Sequence, residues 1–386
     1  MPRVKLGDVA REYKATVKDN AGFPIVGLEH LSPGEITLDC WDTDVETTFT
    51  KSFKKGHMLF GRRRAYLKKA ALAPFDGVCS GDIIVIEAIP GKINPELLPF
   101  IIQNDLLFDY AVGNSSGSLS PRVKWESLKE YEFELPEISK QAELVDLLEA
   151  AYNTKKAYQQ LIIACDELVK SQFIERFGDP VENPMRWKTR PLLALGSCKN
   201  GMNFHSRDSG VEINCLGVGD FKDYDMIEDT HSLPTISLNE VPKEDYLLKN
   251  GDIVFVRSNG NKTMVGRSVV VYPGNNPTVF SGFCIRYRNS DDSILVPYLL
   301  RVLKTDSVRK QMYGRGANIQ NLNQQTLAAL DIPIPPIEAQ KQYVSFIEQL
   351  DKSKYVYRQL TLFLDHFIKY ELQSLIMEEC ICSPKM

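Results

Sequence analysis

The sequence predicts an α+β protein made of two copies of one unit: two α/β globules joined by two long antiparallel helices that form a coiled coil, with an internal pseudo-twofold repeat. Three observations carry that prediction. The chain repeats itself over most of its length. Two long stretches, one per copy, run without proline or glycine. The remainder alternates short Val-, Ile- and Phe-rich runs with turn residues. At roughly 100–200 residues per domain, the 386 residues suit two or three domains.

The repeat is read from matched positions. LPEISKQAELVDLLE (135–149) falls on IPPIEAQKQYVSFIE (334–348), with Gln141 on Gln340 and Val145 on Val344, an offset of 199 residues. The same offset carries Gly117 onto Gly316 and Leu128 onto Leu327. Upstream the match continues with small gaps. KKGHMLFGRRR (54–64) falls on KNGDIVFVRSN (249–259), and Ser80-Gly81 falls on Ser281-Gly282. A long period of this kind means one structural unit used twice.

In chain order, residues 1–134 and 181–333 are the irregular parts, and 135–180 and 334–379 are the helical parts; 380–386 form a tail. GDIIVIEAI (81–89) and RSVVVYPG (267–274) have the length and β-branched content of strands, with Gly, Pro, Asn and Asp between such runs. PELLPFIIQNDLLFDYA (95–111) and PYLLRVLKTDSVRKQMY (297–313) each read as one helix opening on proline. Residues 138–177 and 337–379 are long helices, on the order of 60 Å each at ~1.5 Å per residue.

Their apolar residues follow a seven-residue pattern. Leu144, Ala151, Tyr158 and Cys165 alternate with Leu147, Leu161 and Leu168; in the second helix Tyr343, Leu350, Tyr357 and Leu364 alternate with Phe346, Leu360 and Phe367. Thr154 and Ser353 break the pattern at the same place in each. Such a seam argues for two helices meeting along a narrow line. An antiparallel pairing within the chain suits the repeat, and two separate homodimeric contacts are the alternative. The first helix stops at Gly178-Asp179-Pro180, a glycine-then-proline terminator.

Charge is sorted along the chain. The net charge of −4 excludes a uniformly basic nucleic-acid binder, but not a local patch. Lys51 to Lys69 holds eight basic residues and no acid, among them Lys54, Lys55, Arg62, Arg63, Arg64, Lys68 and Lys69. The second copy repeats this more weakly from Lys249 to Arg288, with Arg257, Lys262, Arg267, Arg286 and Arg288 against Asp252. A charge run is usually a solvated face; recurrence at one place in both copies favours a phosphate ligand. In RSNGNK (257–262), Arg257 suits a guanine edge, Asn259 and Asn261 an adenine edge, and Lys262 a phosphate, with Ser258 beside them. The glycine-rich loops GNSSGS (113–118) and GRGANIQN (314–321) also correspond. Arg315, Asn318 and Gln320 are further candidates for DNA or for contacts at the helix base.

Catalytic signatures are missing. Neither glycine-rich loop ends in the Gly-Lys-Ser/Thr of a P-loop. Asn183-Pro184-Met185-Arg186 lacks the second proline and the aromatic residue of an adenine methyltransferase motif, and VIEAIPGK (85–92) has the wrong spacing for a nuclease. The eight cysteines and five histidines show no paired metal-ligand spacing, so no metal site is expected. No apolar run approaches the ~18 residues of a membrane span, and MPRVKLGDVA has no signal-peptide core, so a cytoplasmic location is expected. The chain reads as a recogniser without its own chemistry. A DNA-modifying enzyme with an unrecognised site, or an adaptor that never touches DNA, are the competing readings.

The helix openings LPEISKQAELV and IPIPPIEAQKQYV, the stretch FIERFGDPVENPMRW (173–187) and the string NGDIVFVRSNGNK (250–262) resemble the specificity subunits of Type I restriction-modification complexes, over nearly the whole chain. The resemblance implies two target-recognition domains, each reading one half of a split double-stranded DNA site. It implies two helices that set the half-site spacing and dock two methyltransferase (modification) subunits, with restriction (translocase) subunits joining through the assembled complex. It places S-adenosylmethionine, ATP and Mg²⁺ on those partners, leaving this chain without catalytic residues or cofactors. Arg62, Arg63 and Arg64 occupy the counterpart of the second-copy loop but depart from its RSNG form.

Overall fold

The computed structural model describes residues 2–205, 207–221, 225–312 and 321–374. It divides into two compact units, Met1–Gln160 with Tyr357–Met386, and Leu161–Val356.

In the first unit, Arg3–Lys5 pairs antiparallel with Glu132–Glu134 and so closes the globule's two ends on each other. The main sheet runs in the order Ala10–Glu12, Ile83–Ala88, Met58–Gly61, Ala70–Leu72, antiparallel throughout. A second sheet runs Ala15–Thr16, Lys51–Phe53, Gly77–Cys79, Ile25–Val26, its last pair parallel. The second unit repeats the plan. Lys188–Pro191 pairs with Asp331–Ile334. Its main sheet runs Gly196–Asn200, Cys284–Asn289, Asp252–Val256, Ser268–Val271, Met226–Ile227. Its second sheet differs, with Val211–Leu216 between Thr235–Leu238 and Thr278–Phe280.

The continuous apolar runs of the central strands have a simple cause: both faces are covered. Along Ile83–Ala88, Ile84 and Ile86 enter one core with the globule's helices, while Ile83 and Val85 enter another beneath the second sheet. Along Asp252–Val256, Ile253 and Phe255 divide from Val254 and Val256 in the same way. Alternation of side chains across a strand thus places one core on each face of the central strand in both units, and in the second unit a further cluster forms around Ile213 and Val279.

Each segment expected as a single proline-led helix is two. Leu98–Ile102 is followed by Asp105–Gly113, and Val296–Lys304 by Asp306–Met312. In the first copy, Asn104 has extended backbone and its side chain accepts from the Leu106 N–H at 2.9 Å, so the chain restarts there with a capped helix. Pro297 sits in the first turn as expected, but in the first copy Pro99, not Pro95, takes that place.

The long helices are Ile138–Phe177 and Ile337–Ser374. The glutamine matched by the repeat performs one task in both. Gln141 is buried, accepts from the Asn94 N–H at 2.7 Å and donates to the Pro136 carbonyl at 2.7 Å. Gln340 accepts from the Leu295 N–H and donates to the Ser293 and Pro335 carbonyls, each at 2.9 Å. Each glutamine thereby ties the opening turn of a long helix to the loop that leads into the globule's own helices.

Both units contain antiparallel contacts between the long helices. In the first, Lys155 meets Asp365 at 2.6 Å, and Tyr158 stacks on Tyr357 with ring centroids 5.7 Å apart. In the second, Lys354 meets Asp166 at 2.9 Å. The 199-residue offset carries Lys155 onto Lys354 and Asp166 onto Asp365, so one ion pair occurs twice with its partners exchanged. Among the expected seam positions, Ala151 and Tyr343 are buried, while Leu144, Phe346, Leu350, Leu360 and Phe367 are half-buried.

Leu147, Leu161 and Leu168 correct the expected seam, because they are 44%, 43% and 42% exposed. Val145, Leu148 and Val169 are buried in their stead. The reason is the partner surface. Near its ends this helix lies on a globule core, with Val145 and Leu148 in one unit and Val169, Phe173 and Phe177 in the other. A globule buries a face with the 3.6-residue period, which drifts away from a strict heptad.

The stretch 173–187 closes the first long helix. Gly178 takes φ +75°, and a Cβ there would lie 2.4 Å from Pro184 Cγ, so glycine alone fits. Trp187 donates its indole N–H to the Phe177 carbonyl at 3.1 Å, satisfying one of the helix's last acceptors. Asn183 fixes Trp187 through both of its backbone groups, at 2.8 and 2.9 Å.

Candidate nucleic-acid interface

Each unit carries a basic loop on the end of its central strand, and the two loops hang on the same hydrogen bonds. In the first unit, the Arg62 N–H donates to the Asp82 carbonyl at 2.9 Å, and the Arg62 carbonyl accepts from the Val123 N–H at 3.0 Å. In the second, the Arg257 N–H donates to the Phe283 carbonyl at 2.8 Å, and the Arg257 carbonyl accepts from the Leu322 N–H at 2.8 Å. The supporting turn is shared as well. The Asp82 N–H donates to Ser80 Oγ at 3.2 Å and the Phe283 N–H to Ser281 Oγ at 3.3 Å. Two backbone bonds and a serine in each unit thus place Arg62 and Arg257 equivalently, while the side chains around them differ.

In the first unit many of the basic residues have internal partners. Lys54 meets Asp76 at 2.8 Å, and Asp76 also accepts from the Lys55 N–H at 2.8 Å. Lys68 meets Asp105 at 2.7 Å, and Lys69 donates to the Leu28 carbonyl at 2.6 Å. Arg63 donates to Ser120 Oγ at 2.5 Å and lies 3.6 Å from Asp82. Arg122 grips Asp82 with two donors, at 2.7 and 3.3 Å. The Arg122 hydrogen bond, working against partial burial and helped by Arg63 and Arg62, holds the Asp82 carboxyl below the usual carboxylate range. Arg62 Nε is buried without a hydrogen-bond partner among the described residues. Arg64 is exposed, with its backbone in the left-handed region at φ +54°. Strained backbone of this kind collects at functional sites. Lys68 shares it at φ +51°, and the turn between them, Ala65–Leu67, exposes Tyr66 and Leu67.

The second unit's loop is built from its asparagines. Asn261 Oδ1 accepts from the Thr263 N–H at 3.0 Å and so caps the short helix Lys262–Met264. Asn259 Oδ1 accepts from the Asn261 N–H at 2.7 Å. Ser258 N–H reaches the Phe283 carbonyl at 3.4 Å. Arg257 also donates a guanidinium N–H to the Gly282 carbonyl at 3.3 Å. Arg267 closes the loop on the strand, where its carbonyl accepts from the Val256 N–H at 2.9 Å.

Two residues of the second basic run do not belong to a surface patch. Arg288 makes a two-pronged bond to Asp252, at 2.8 and 2.7 Å, and Asp252 is 1% exposed. Arg286 is buried, and burial pushes its guanidinium below the ordinary value. Arg286 is thus drawn inside, and the partly buried Arg288 is held by Asp252. Arg315, Asn318 and Gln320 lie outside the described residues.

Sequence reasoning missed Asp82, Arg122 and Ser120, which gather around Arg63, and Phe283, which carries the second loop. It also missed Arg309, whose guanidinium donates to the Thr263 and Val265 carbonyls at 3.1 and 3.4 Å and braces that loop. The repeat held one signal. Asp82 and Phe283 immediately follow the matched Ser-Gly pairs. Among the described residues no cluster of three His, Cys, Asp or Glu could hold a metal ion, and no helix is long and apolar enough to cross a membrane.

A family model described as the Type I restriction modification DNA specificity domain matches residues 3–164 and 218–359. The Type I restriction enzyme StySPI specificity subunit of Salmonella potsdam is 27% identical over 269 residues, covering 61% of this chain. The match spans 55% of that relative's length. The EcoDI specificity subunit of Escherichia coli is 28% identical over 155 residues, covering 38% of this chain and 33% of its own. Two solved structures share the fold. One is a chain from a type I R-M system, with TM-score 0.59, 18% identity and 98% coverage of both chains. The other is the Type-I restriction-modification system S subunit from M. genitalium, with TM-score 0.56, 14% identity and coverage of 98% of this chain and 96% of that one. The matched segments take in both copies of the repeat and both framed loops, and on that ground this chain belongs to the family of Type I restriction modification DNA specificity domains.

Proposed function

We propose that this chain is the DNA-recognition subunit of a Type I restriction-modification complex and does no chemistry itself. Each target-recognition globule reads one half of a bipartite duplex site. The observation that carries this reading is the loop framework: one set of backbone bonds presents a basic segment in both units, with different side chains on each. A common scaffold with varied side chains is what two readers of different base sequences require, since phosphate contacts position and base contacts specify.

The long helices form an antiparallel coiled coil with a pseudo-twofold axis and set the spacing between half-sites. The exchanged Lys–Asp pairs support that register. Half-site centres on the order of one DNA turn (~10 bp) apart follow from the usual geometry of paired readers. Two modification subunits dock on the helices, and the exposed apolar side chains there, including Leu161, Ile163, Leu168, Tyr355 and Phe363, support a covered surface. S-adenosylmethionine, ATP and Mg²⁺ belong to the partner subunits, restriction subunits join the assembled complex, and the complex works in the cytoplasm.

The test is a map of adenine methylation across a genome, with and without this chain, in cells that carry the partner methyltransferase. Loss of one split motif on deletion is expected and reveals both half-sites. An unchanged map, with the methyltransferase present and folded, would leave the chain an adaptor between proteins.

A further inference from the structure

The turn that supports each basic loop ends in a different residue. In the first unit it is Asp82, whose carboxylate takes one edge of the Arg122 guanidinium and lies near Arg63. In the second it is Phe283, which is 62% exposed although it is a large apolar side chain. The turn beneath Phe283 is rigid. Its carbonyl accepts from the Arg257 and Ser258 N–H groups, its own N–H donates to Ser281 Oγ, and Gly282 lies so close to Asn203 that a Cβ would sit 2.1 Å from Asn203 Oδ1. A phenylalanine on a hydrogen-bonded turn beside a reading loop has only its two side-chain torsions to order on binding.

We propose that the residue at the tip of this turn sets the reading chemistry of its half-site, so that the first unit reads guanine through arginines and the second reads a thymine methyl group through Phe283. The inference rests on the DNA-recognition role proposed above.

The chemistry follows from the side chains. A guanidinium has five N–H donors in a fixed plane. Asp82 takes the Nε–Nη2 edge of Arg122, leaving donors at the far end of a side chain that is 43% exposed. A carboxylate-anchored arginine is pre-organised for the paired acceptors O6 and N7 of guanine. Asp82 is a positioning residue here, acting through Arg122 and Arg63. Phe283 has no hydrogen-bonding group on its side chain. The feature of the major groove that an apolar side chain distinguishes is the thymine methyl group.

The experiment uses the full chain assembled with its modification subunits and a duplex carrying the mapped bipartite motif. Each thymine is replaced in turn by deoxyuridine, which removes the methyl group, and each guanine by 7-deazaguanine, which removes N7. A loss of affinity of about fivefold or more is expected at a thymine of one half-site and at a guanine of the other. Phe283→Ala should abolish the deoxyuridine effect and leave the guanine effect intact. Phe283→Leu, which keeps apolar bulk, should retain part of it. Asp82→Asn and Arg122→Ala should abolish the 7-deazaguanine effect alone. Insensitivity to deoxyuridine throughout, insensitivity to 7-deazaguanine throughout, an undiminished deoxyuridine effect in Phe283→Ala, or both effects confined to one half-site would overturn the proposal. Absence of any sequence-specific binding by the wild-type complex would instead overturn the DNA-recognition role and this inference with it.

Discussion

His57 and Asp252 do the same local work with different chemistry. His57 Nδ1 accepts from the Lys54 N–H at 3.2 Å, and Asp252 Oδ2 accepts from the Lys249 N–H at 2.7 Å, each at the matched position of its copy. The pattern recurs with His30, which accepts from the Gly27 N–H, and Asp220, which accepts from the Gly217 N–H. A histidine can accept at Nδ1 only while that nitrogen is unprotonated. His57 faces the Tyr13 ring and lies 3.7 Å from Glu87, with Lys54 and Asp76 also nearby. Burial pushes the imidazole below its ordinary value, Glu87 and Asp76 pull it back in part, and Lys54 adds to the lowering. The folded value therefore lies below the unfolded one of about 6.5. The unfolded chain takes up the proton first, so the contribution is complete above about pH 6.5 and is lost as pH falls from there through the lower folded value. Hydrogen-exchange protection over 51–61, corrected for the intrinsic pH dependence of amide exchange, is expected to fall between about pH 7 and pH 5.5, and His57→Asn should flatten that dependence. An unchanged slope in the variant would assign the acid sensitivity to another group. The two buried glutamines give a second prediction at this scale. Gln141→Ala and Gln340→Ala should each destabilise by about 1–3 kcal/mol in denaturant unfolding, because each leaves a backbone N–H without its acceptor.

At the scale of elements, the first long helix has two kinds of apolar residue. Phe173 is 2% exposed and sits among Phe177, Tyr298 and Tyr343, with ring centroids 5.4, 5.8 and 5.6 Å away. Phe173→Ala should cost about 3–5 kcal/mol. Leu161, five residues beyond the Lys156 that binds Glu35, is 43% exposed, and Leu161→Ala should change stability by no more than about 0.5 kcal/mol. The same substitution should weaken association with the modification subunits, measured by pull-down of the complex. A loss of several kcal/mol in Leu161→Ala would return Leu161 to a packed seam. The heptad could not tell these residues apart, because a leucine facing a helix, a globule or a partner protein looks the same in a periodic pattern.

For the molecule as a whole, the helices act as the ruler in the proposed function. Inserting four residues, about one helical turn, into both long helices should change the number of bases between the half-sites in the methylation map. Retention of the original spacer would sink the ruler. Arg257→Ala should weaken recognition of one half-site and leave the other, since Arg257 belongs to a loop framed entirely within the second unit. Equal loss at both half-sites would indicate a general phosphate contact. Much of this architecture was legible beforehand. The two helices, the doubled unit and the loops near Arg62 and Arg257 stand out because they are local or repeated. The two-part helices at Leu98–Ile102 and Val296–Lys304 were not legible, because a single capping asparagine or an extended threonine ends a helix that composition would continue.

The sequence by itself determined the repeat, the strand-rich globules, the long helices and the family, because each is written in residues close together or matched in order between the two copies. The tertiary structure alone decided which charges remain available. Lys68 finds Asp105 across 37 residues, Arg122 finds Asp82 across 40, and Arg288 finds Asp252 across 36. No local pattern announces such pairs, since they form when sheet pairing brings distant segments within hydrogen-bond reach. For the same reason, the contrast between Asp82 and Phe283 became visible only once their turns could be seen supporting equivalent arginines.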